Sequence, residues 1–206
     1  NTLKFLTWVR DKYECNDVKC MGDELDQYTA SRYAHDPDAM GGGDEYVAAM
    51  KFWEKMFREF PVADSVTSNH VERVAKRAAE SGIPSAYLKT VSEFMHAPKG
   101  WRWANHWDSG GIRYEHGERA GGITGLRNLV LSNMMHTVIG HQHNTPGTTY
   151  VSNGISTLWG LNAGCLVDIG STGMAYGRLF RQKPVIGAGV IVDGVPNFIP
   201  MPSKWL

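Results

Sequence analysis

The spacing of apolar and polar positions divides the chain into alternating helix-like and strand-like stretches with a β-rich end. Residues 2–13 place Leu6, Val9 and Tyr13 at i, i+3 and i+7, the spacing of one helix face. After the turn signal Asn16-Asp17, residues 18–21 read as a short buried strand. The strongest period follows: Tyr46, Met50, Trp53, Phe57 and Phe60 fall at i, i+4, i+7, i+11 and i+14, and Pro61 stops the run. A stripe this aromatic predicts core packing, and no chemistry is assigned to it. Residues 65–67 read as a strand, 71–81 as a helix closed by Gly82 and Pro84, and 112–114 as another strand. Residues 120–134 predict a helix with Ile123, Leu126 and Val130 facing inward, and 137–139 a buried strand that stops at Gly140. Strands are then expected at 148–151, 157–162 and 185–192.

Helices alternating with strands early, then strands late, predict an α/β fold of two packed mixed β-sheets flanked by helices. At 206 residues, 42% of them hydrophobic, the chain can bury a sizeable core, and one domain spanning 1–206 is expected. Two polar stretches interrupt the pattern. Residues 27–44, which include Gly41-Gly42-Gly43, predict a mobile loop near the mouth of a site. In 97–111, Trp101, Trp103 and Trp107 interleave with Lys99, Arg102, Asn105 and His106. They form either a rim that stacks on a base or steers a phosphate, or an insertion that packs down its own tryptophans. The second is favoured, because such rings are usually core.

Charge narrows the partners. Lys+Arg and Asp+Glu both number 21, so no global field recruits nucleic acid or an anionic membrane. No apolar run approaches the roughly 18 residues of a membrane span. Cys15, Cys20 and Cys165 lack metal-finger spacing, which favours reduced thiols and a cytoplasmic location.

The candidate chemistry lies just past strand ends. Gly22-Asp23-Glu24-Leu25-Asp26 follows the strand at 18–21, and Ser68-Asn69-His70 the one at 65–67. Glu115-His116-Gly117 follows 112–114, and Gly140-His141-Gln142-His143 follows 137–139. Four strand ends offering Asp, Asn/His, His and His-x-His make a nitrogen and oxygen ligand set without thiolate. Such a set suits Mn²⁺, Fe²⁺ or Zn²⁺ and disfavours copper(I) and iron–sulfur chemistry.

This ordered set resembles the calcineurin-like metallophosphoesterases, whose pattern runs Asp-x-His, Gly-Asp-x-x-Asp, Gly-Asn-His-Asp/Glu, His and Gly-His-x-His. The run LWGLNAGCLVD at 158–168 is similar to the bacterial and phage branch. The resemblance covers nearly the whole chain, with two departures: Asp-x-His is absent, and Ser68 stands where a glycine is usual. The family's first strand precedes the first helix, so the expectation is an αββα sandwich whose N-terminal strand is missing from these residues. By resemblance, Asp23 bridges two ions. One also takes Asn69, His116 and His141; the other also takes His143 and the missing Asp-x-His.

Further roles follow from the same resemblance. His70 matches the catalytic histidine, which stabilises the transition state or protonates the leaving oxygen. Asp26 orients it. Arg73, one helical turn on, either clamps a phosphate oxygen or forms an exposed salt bridge. The implied activity is hydrolysis of phosphate mono- or diesters by a metal-activated water, with one or two divalent ions per chain and Mn²⁺ first among them. The substrate is a phosphate ester; nucleotide, nucleic acid and phosphoprotein all stay open. The implied location is the cytoplasm, a host cytoplasm if the chain is phage-encoded. Two rival readings are an inactive or mononuclear fragment, and a non-catalytic binding module of the same fold.

Overall fold

The computed structural model describes residues 1–32, 35–167 and 182–205 and shows an α/β protein with mixed sheets and no barrel. Asp168, the last residue of the run at 158–168, lies outside the described residues. The chain opens with helix α1 (Thr2–Lys12), then strand β1 (Lys19–Cys20). Helix α2 (Gly42–Glu59) leads into β2 (Ala63–Val66). Helices α3 (Arg73–Glu80) and α4 (Val91–Phe94) precede β3 (Trp101–Ala104), β4 (His106–Ser109) and β5 (Ile112–Glu115). Helix α5 (Gly125–Asn133) and β6 (His136–Ile139) follow, then β7 (Gly147–Ser152) and β8 (Thr157–Asn162). The end of the chain holds β9 (Gly187–Val192) and β10 (Val195–Pro200).

Strands β1, β2 and β3 form a parallel sheet in that order. A five-stranded sheet runs β4-β5-β6-β8-β7, parallel through β5, β6 and β8 with antiparallel edges. Strands β9 and β10 pair as a hairpin. Apolar contacts tie the sheets together. Val66 of β2 shares a buried cluster with Tyr114, Val138, Trp159 and Leu161 of the five-stranded sheet. The α2 stripe buries Met50, Trp53 and Phe57 with Phe60 against Trp101 and Met95, as the helical period requires. Tyr46 joins it half-buried and donates its hydroxyl to Phe94 O.

Two expectations need correction, and a third is decided. Gly42 and Gly43 are not loop residues but the first turn of α2, with Gly41 as its N-cap. Asp44 and Glu45 in that turn suit the helix dipole, which outweighs the low helix propensity of two glycines. Ile123 does not face inward: it is 94% exposed, because α5 starts only at Gly125 and leaves Ile123 on the preceding loop. The tryptophan segment packs its rings inward, as favoured above. It is two strands, and each indole N–H has an interior acceptor: Phe60 O for Trp101, Glu24 Oε1 for Trp103 and Ser65 O for Trp107. No aromatic rim is formed there; the core alternative is the one observed.

One ion-pair set spans the parallel sheet. Asp64 of β2 receives Lys19 Nζ of β1 at 2.9 Å and Arg102 Nη2 of β3 at 2.6 Å. Burial alone raises the Asp64 pKa, but Lys19 and Arg102 outweigh it and hold the carboxyl below its usual value. A depressed folded-state pKa stabilises the protein above the unfolded value, near 4, and that stability is lost as pH falls through the folded value. Asp64→Asn is therefore expected to cost about 1.5–3 kcal/mol at pH 7, the worth of hydrogen bonds to a charged group. Urea denaturation at pH 7 and at pH 3 checks this, and the gap between the two proteins should narrow at the lower pH.

Candidate metal centre

In parallel sheets the loops beyond the carboxyl ends of the strands collect functional groups, because neighbouring strands all end on the same side. Here β1 and β2 of one sheet and β5 and β6 of the other deliver Asp23, Asn69, His116 and His141 to one place. Ligand atoms of Asp23, His116 and His141 all lie within 4.8 Å of one another. Asn69 Oδ1 lies 3.1 Å from His116 Nε2, and His141 Nδ1 lies 3.0 Å from the same nitrogen. Asp23 splits its oxygens: Oδ1 faces His116 Nε2 at 3.4 Å, and Oδ2 faces His143 Nε2 at 3.9 Å.

The turns that hold these groups are strained in a way the sequence accommodates. Asp23 and His141 both take positive φ, at 60° and 50°, a conformation uncommon for residues other than glycine but better tolerated by Asp and His than by most. Gly22, at φ +88°, leads into Asp23, and a Cβ there would stand 2.8 Å from Ser68 Cβ and 3.0 Å from Val66 O. Only glycine lets the β1 loop approach β2 this closely. Ser68 is buried, and its hydroxyl accepts the backbone N–H of Asp23 at 3.0 Å and of Val71 at 3.3 Å. The serine thus ties the Asp23 loop to the Asn69 loop. Asn162, at the end of β8, donates to Gln142 O and Thr145 O, both at 2.8 Å, and clamps the His141–His143 loop.

Proton accounting shows what the cluster can accept. Met21 O lies 2.6 Å from His116 Nδ1, and a carbonyl can only accept, so Nδ1 carries the proton. In neutral His116 this leaves the Nε2 lone pair facing Asn69 Oδ1 and Asp23 Oδ1, two further acceptors. Burial pushes the His141 pKa down to about 4, so this imidazole is neutral at pH 7. Burial would raise the Asp23 pKa, but the imidazoles of His143, His116 and His70 around it outweigh burial and hold the carboxyl below its usual value. Its Oδ1 is nonetheless buried without a hydrogen-bond partner. Buried acceptors facing one another are costly unless a cation sits among them. The group Asp23, His116 and His141 can hold a metal ion, and Asn69 is placed to join it.

The second set lies beside the first. His70 Nδ1 is 2.7 Å from Asp26 Oδ1, and Arg73 Nη1 reaches the same oxygen at 2.8 Å and Asp26 O at 2.7 Å. Arg73 Nη2 meets His70 Nε2 at 3.0 Å. Asp26 is therefore bonded to His70 rather than a free solvated carboxylate, and Arg73 is partly buried rather than an exposed salt-bridge residue. The α3 helix begins at Arg73, so Asn69 and His70 sit in the turn before it, not at its first residues.

Three contributors were not identified from sequence. Glu24 is buried behind Asp23, where its Oε1 accepts from Ser65 Oγ at 2.5 Å and Trp103 Nε1 at 2.8 Å. Trp53 Nε1 donates to Glu24 O at 2.8 Å, so α2 and β3 both grip the Asp23 loop. Ser68 and Asn162 are the other two. Their signal was available: a small polar residue inside or just beyond an apolar strand must satisfy itself against nearby backbone. In comparisons with known proteins, no family model and no curated protein matches this chain.

Proposed function

We propose that the protein is a metal-dependent phosphoesterase of the calcineurin-like kind, an αββα sandwich that hydrolyses phosphate mono- or diesters. The observation that carries this reading is the convergence of four strand-end loops on Asp23, Asn69, His116 and His141, with Asp23 Oδ1 buried and unpartnered. Those four side chains would hold a divalent ion; the donor set suits Mn²⁺, Fe²⁺ or Zn²⁺, and the family resemblance puts Mn²⁺ first. A divalent ion held there supplies positive charge that activates a water and neutralises phosphoryl oxygens. His143, on the other oxygen of Asp23, would contribute to a neighbouring ion. Asp26 fixes the His70 ring through Nδ1, and Arg73 supplies a guanidinium at His70 Nε2, where a phosphate oxygen or leaving group could be met.

The geometry favours one well-built ion site over two. Around the Asp23 Oδ1 face stand two imidazoles and an amide; around the Oδ2 face the described residues place His143. A mononuclear centre is therefore the second reading worth carrying. Metal stoichiometry by mass spectrometry, on protein incubated with Mn²⁺ and desalted, tests both. About one retained ion is the expected result for a centre with one complete ligand set. Two would mean that further groups complete the Oδ2 side, and none would sink the phosphoesterase reading. Turnover of p-nitrophenyl phosphate and its bis ester then separates monoesterase from diesterase activity. No helix among the described residues is long and apolar enough to cross a membrane.

A further inference from the structure

Two grooves of opposite charge meet at the candidate metal centre. The first, of about 470 Å³, is lined by Asn69 and by Arg32, Arg73, Lys76 and Arg77, with Glu80 as its one carboxylate. The second, of about 270 Å³, is lined by His116 and by Glu72, Glu115 and Glu118, with Arg119 as its one guanidinium. Asn69 and His116 are the 3.1 Å pair at the centre, so each groove opens from one side of it. The Lys76–Glu72 ion pair, at 2.8 Å, crosses the divide between them, the ammonium on one side and the carboxylate on the other.

The positive side keeps a surplus after its internal pairing. Arg32 and Arg77 both bond Glu80, two guanidiniums to one carboxylate. Arg77 also donates to Ala30 O at 3.1 Å and Ser31 O at 2.8 Å, which holds the 30–32 segment over the groove. Guanidinium groups recognise phosphate through paired N–H donors. On the negative side Glu115 accepts from Asn133 at 2.6 Å, and Arg119 lies 3.8 Å from its carboxylate.

From this juxtaposition we infer that the substrate is a small phosphate ester with a second phosphate, which lies in the basic groove along α3 while an uncharged or cationic portion lies in the acidic groove. The inference rests on the phosphoesterase reading of the centre. A nucleic-acid strand threaded through the site would put phosphates in both grooves, and the acidic one repels them. A molecule with its extra anion at one end meets opposite fields in the orientation it needs.

The test uses Mn²⁺-loaded protein and calorimetric titration with butyl phosphate and with bisphosphates of two-, three- and four-carbon diols. At least one bisphosphate should bind about tenfold tighter than butyl phosphate, the factor that 1.4 kcal/mol of added interaction gives. The double variant Arg32→Ala/Lys76→Ala should erase that preference while leaving butyl phosphate affinity and metal stoichiometry unchanged. Equal affinity of all four ligands in the wild type overturns the inference, as does a preference that survives the double variant. A single-stranded oligonucleotide that binds more tightly than every bisphosphate also overturns it. Metal content of the same samples separates the two failures. Metal retained without a bisphosphate preference removes the groove inference alone, and metal absent with the preference intact removes the phosphoesterase reading alone.

Discussion

Asp23→Ala should abolish retained metal, taking Mn²⁺ stoichiometry after desalting from about one ion per chain to near zero. Asp23 is the only carboxylate in the cluster of described residues that can hold a metal, so its loss leaves neutral imidazoles and an amide facing each other. Neutral donors alone offer no charge to offset the dehydration of a divalent cation. Removing a group that merely orients a ligand costs about 10–100-fold in affinity, and removing the charged ligand should exceed that. The same variant removes the buried, unpartnered Oδ1 but keeps a side chain at positive φ, so the apo protein should stay close to wild type in stability. Metal content by mass spectrometry and denaturant midpoints of both apo proteins check the two halves together. A variant that keeps its metal would show that the ion, if any, sits elsewhere. A variant that loses metal and also unfolds would show Asp23 to be a structural group instead.

Much of this centre is legible in the sequence because strand ends are. An apolar run of three or four residues that stops at glycine or polar residues marks where a buried strand surfaces, and the residues just beyond it can only lie on a rim. That places Asp23, Asn69, His116 and His141 on loops, and parallel strands put the loops on one side. The α2 stripe is legible for the same reason: five aromatic or large apolar residues at one helical period have only one face to bury. What escapes the pattern depends on tertiary partners. The tryptophans of β3 and β4 read as core by residue type, but the partners that bury them are not local. What buries Trp101 and Trp103 is the α2 stripe, some forty to fifty residues away, and Glu24, which lies further still. Ile123 reads as a helix residue, yet the glycines at 121, 122 and 125 delay the helix until Ile123 has passed. Strand β10 was not expected either, since Pro196 and Pro200 lie within it; as one half of a two-stranded hairpin it leaves its other edge free of ladder bonds.

The grip on the Asp23 loop is likewise a tertiary matter. Glu24 is buried because Trp103 and Ser65 satisfy its Oε1, and burial raises its pKa. The resemblance separates Asp23 from Asp26 in Gly-Asp-Glu-Leu-Asp but says nothing of Glu24 between them. The fold gives them three environments: Asp23 faces the imidazoles, Glu24 faces tryptophan and serine, and Asp26 faces His70 and Arg73. Their tertiary partners, rather than residue type, sort the roles.

His70→Asn should lower turnover of an alkyl phosphate by about 10²–10⁴-fold, the usual worth of a positioned general acid. It should lower turnover of p-nitrophenyl phosphate far less. The hydrogen bonds give the reason. Arg73 Nη2 can only donate, so His70 Nε2 accepts from it, and His70 holds its one proton on Nδ1 against Asp26. In this resting arrangement the imidazole has no outward N–H. A phosphate oxygen that draws Arg73 away frees Nε2 to take a proton, and Asp26 stabilises the resulting cation. Protonation through Nε2 matters for an alkoxide leaving group and hardly at all for p-nitrophenolate, which departs without a proton. The ratio of the two rates therefore reports on proton delivery, while retained metal content shows that the centre is intact. Arg73→Lys should raise KM for both substrates, since an ammonium cannot span Asp26 and His70 as the guanidinium fork does. Equal loss of both activities in His70→Asn would assign His70 to electrostatic stabilisation of the phosphoryl group, with the leaving oxygen protonated by water.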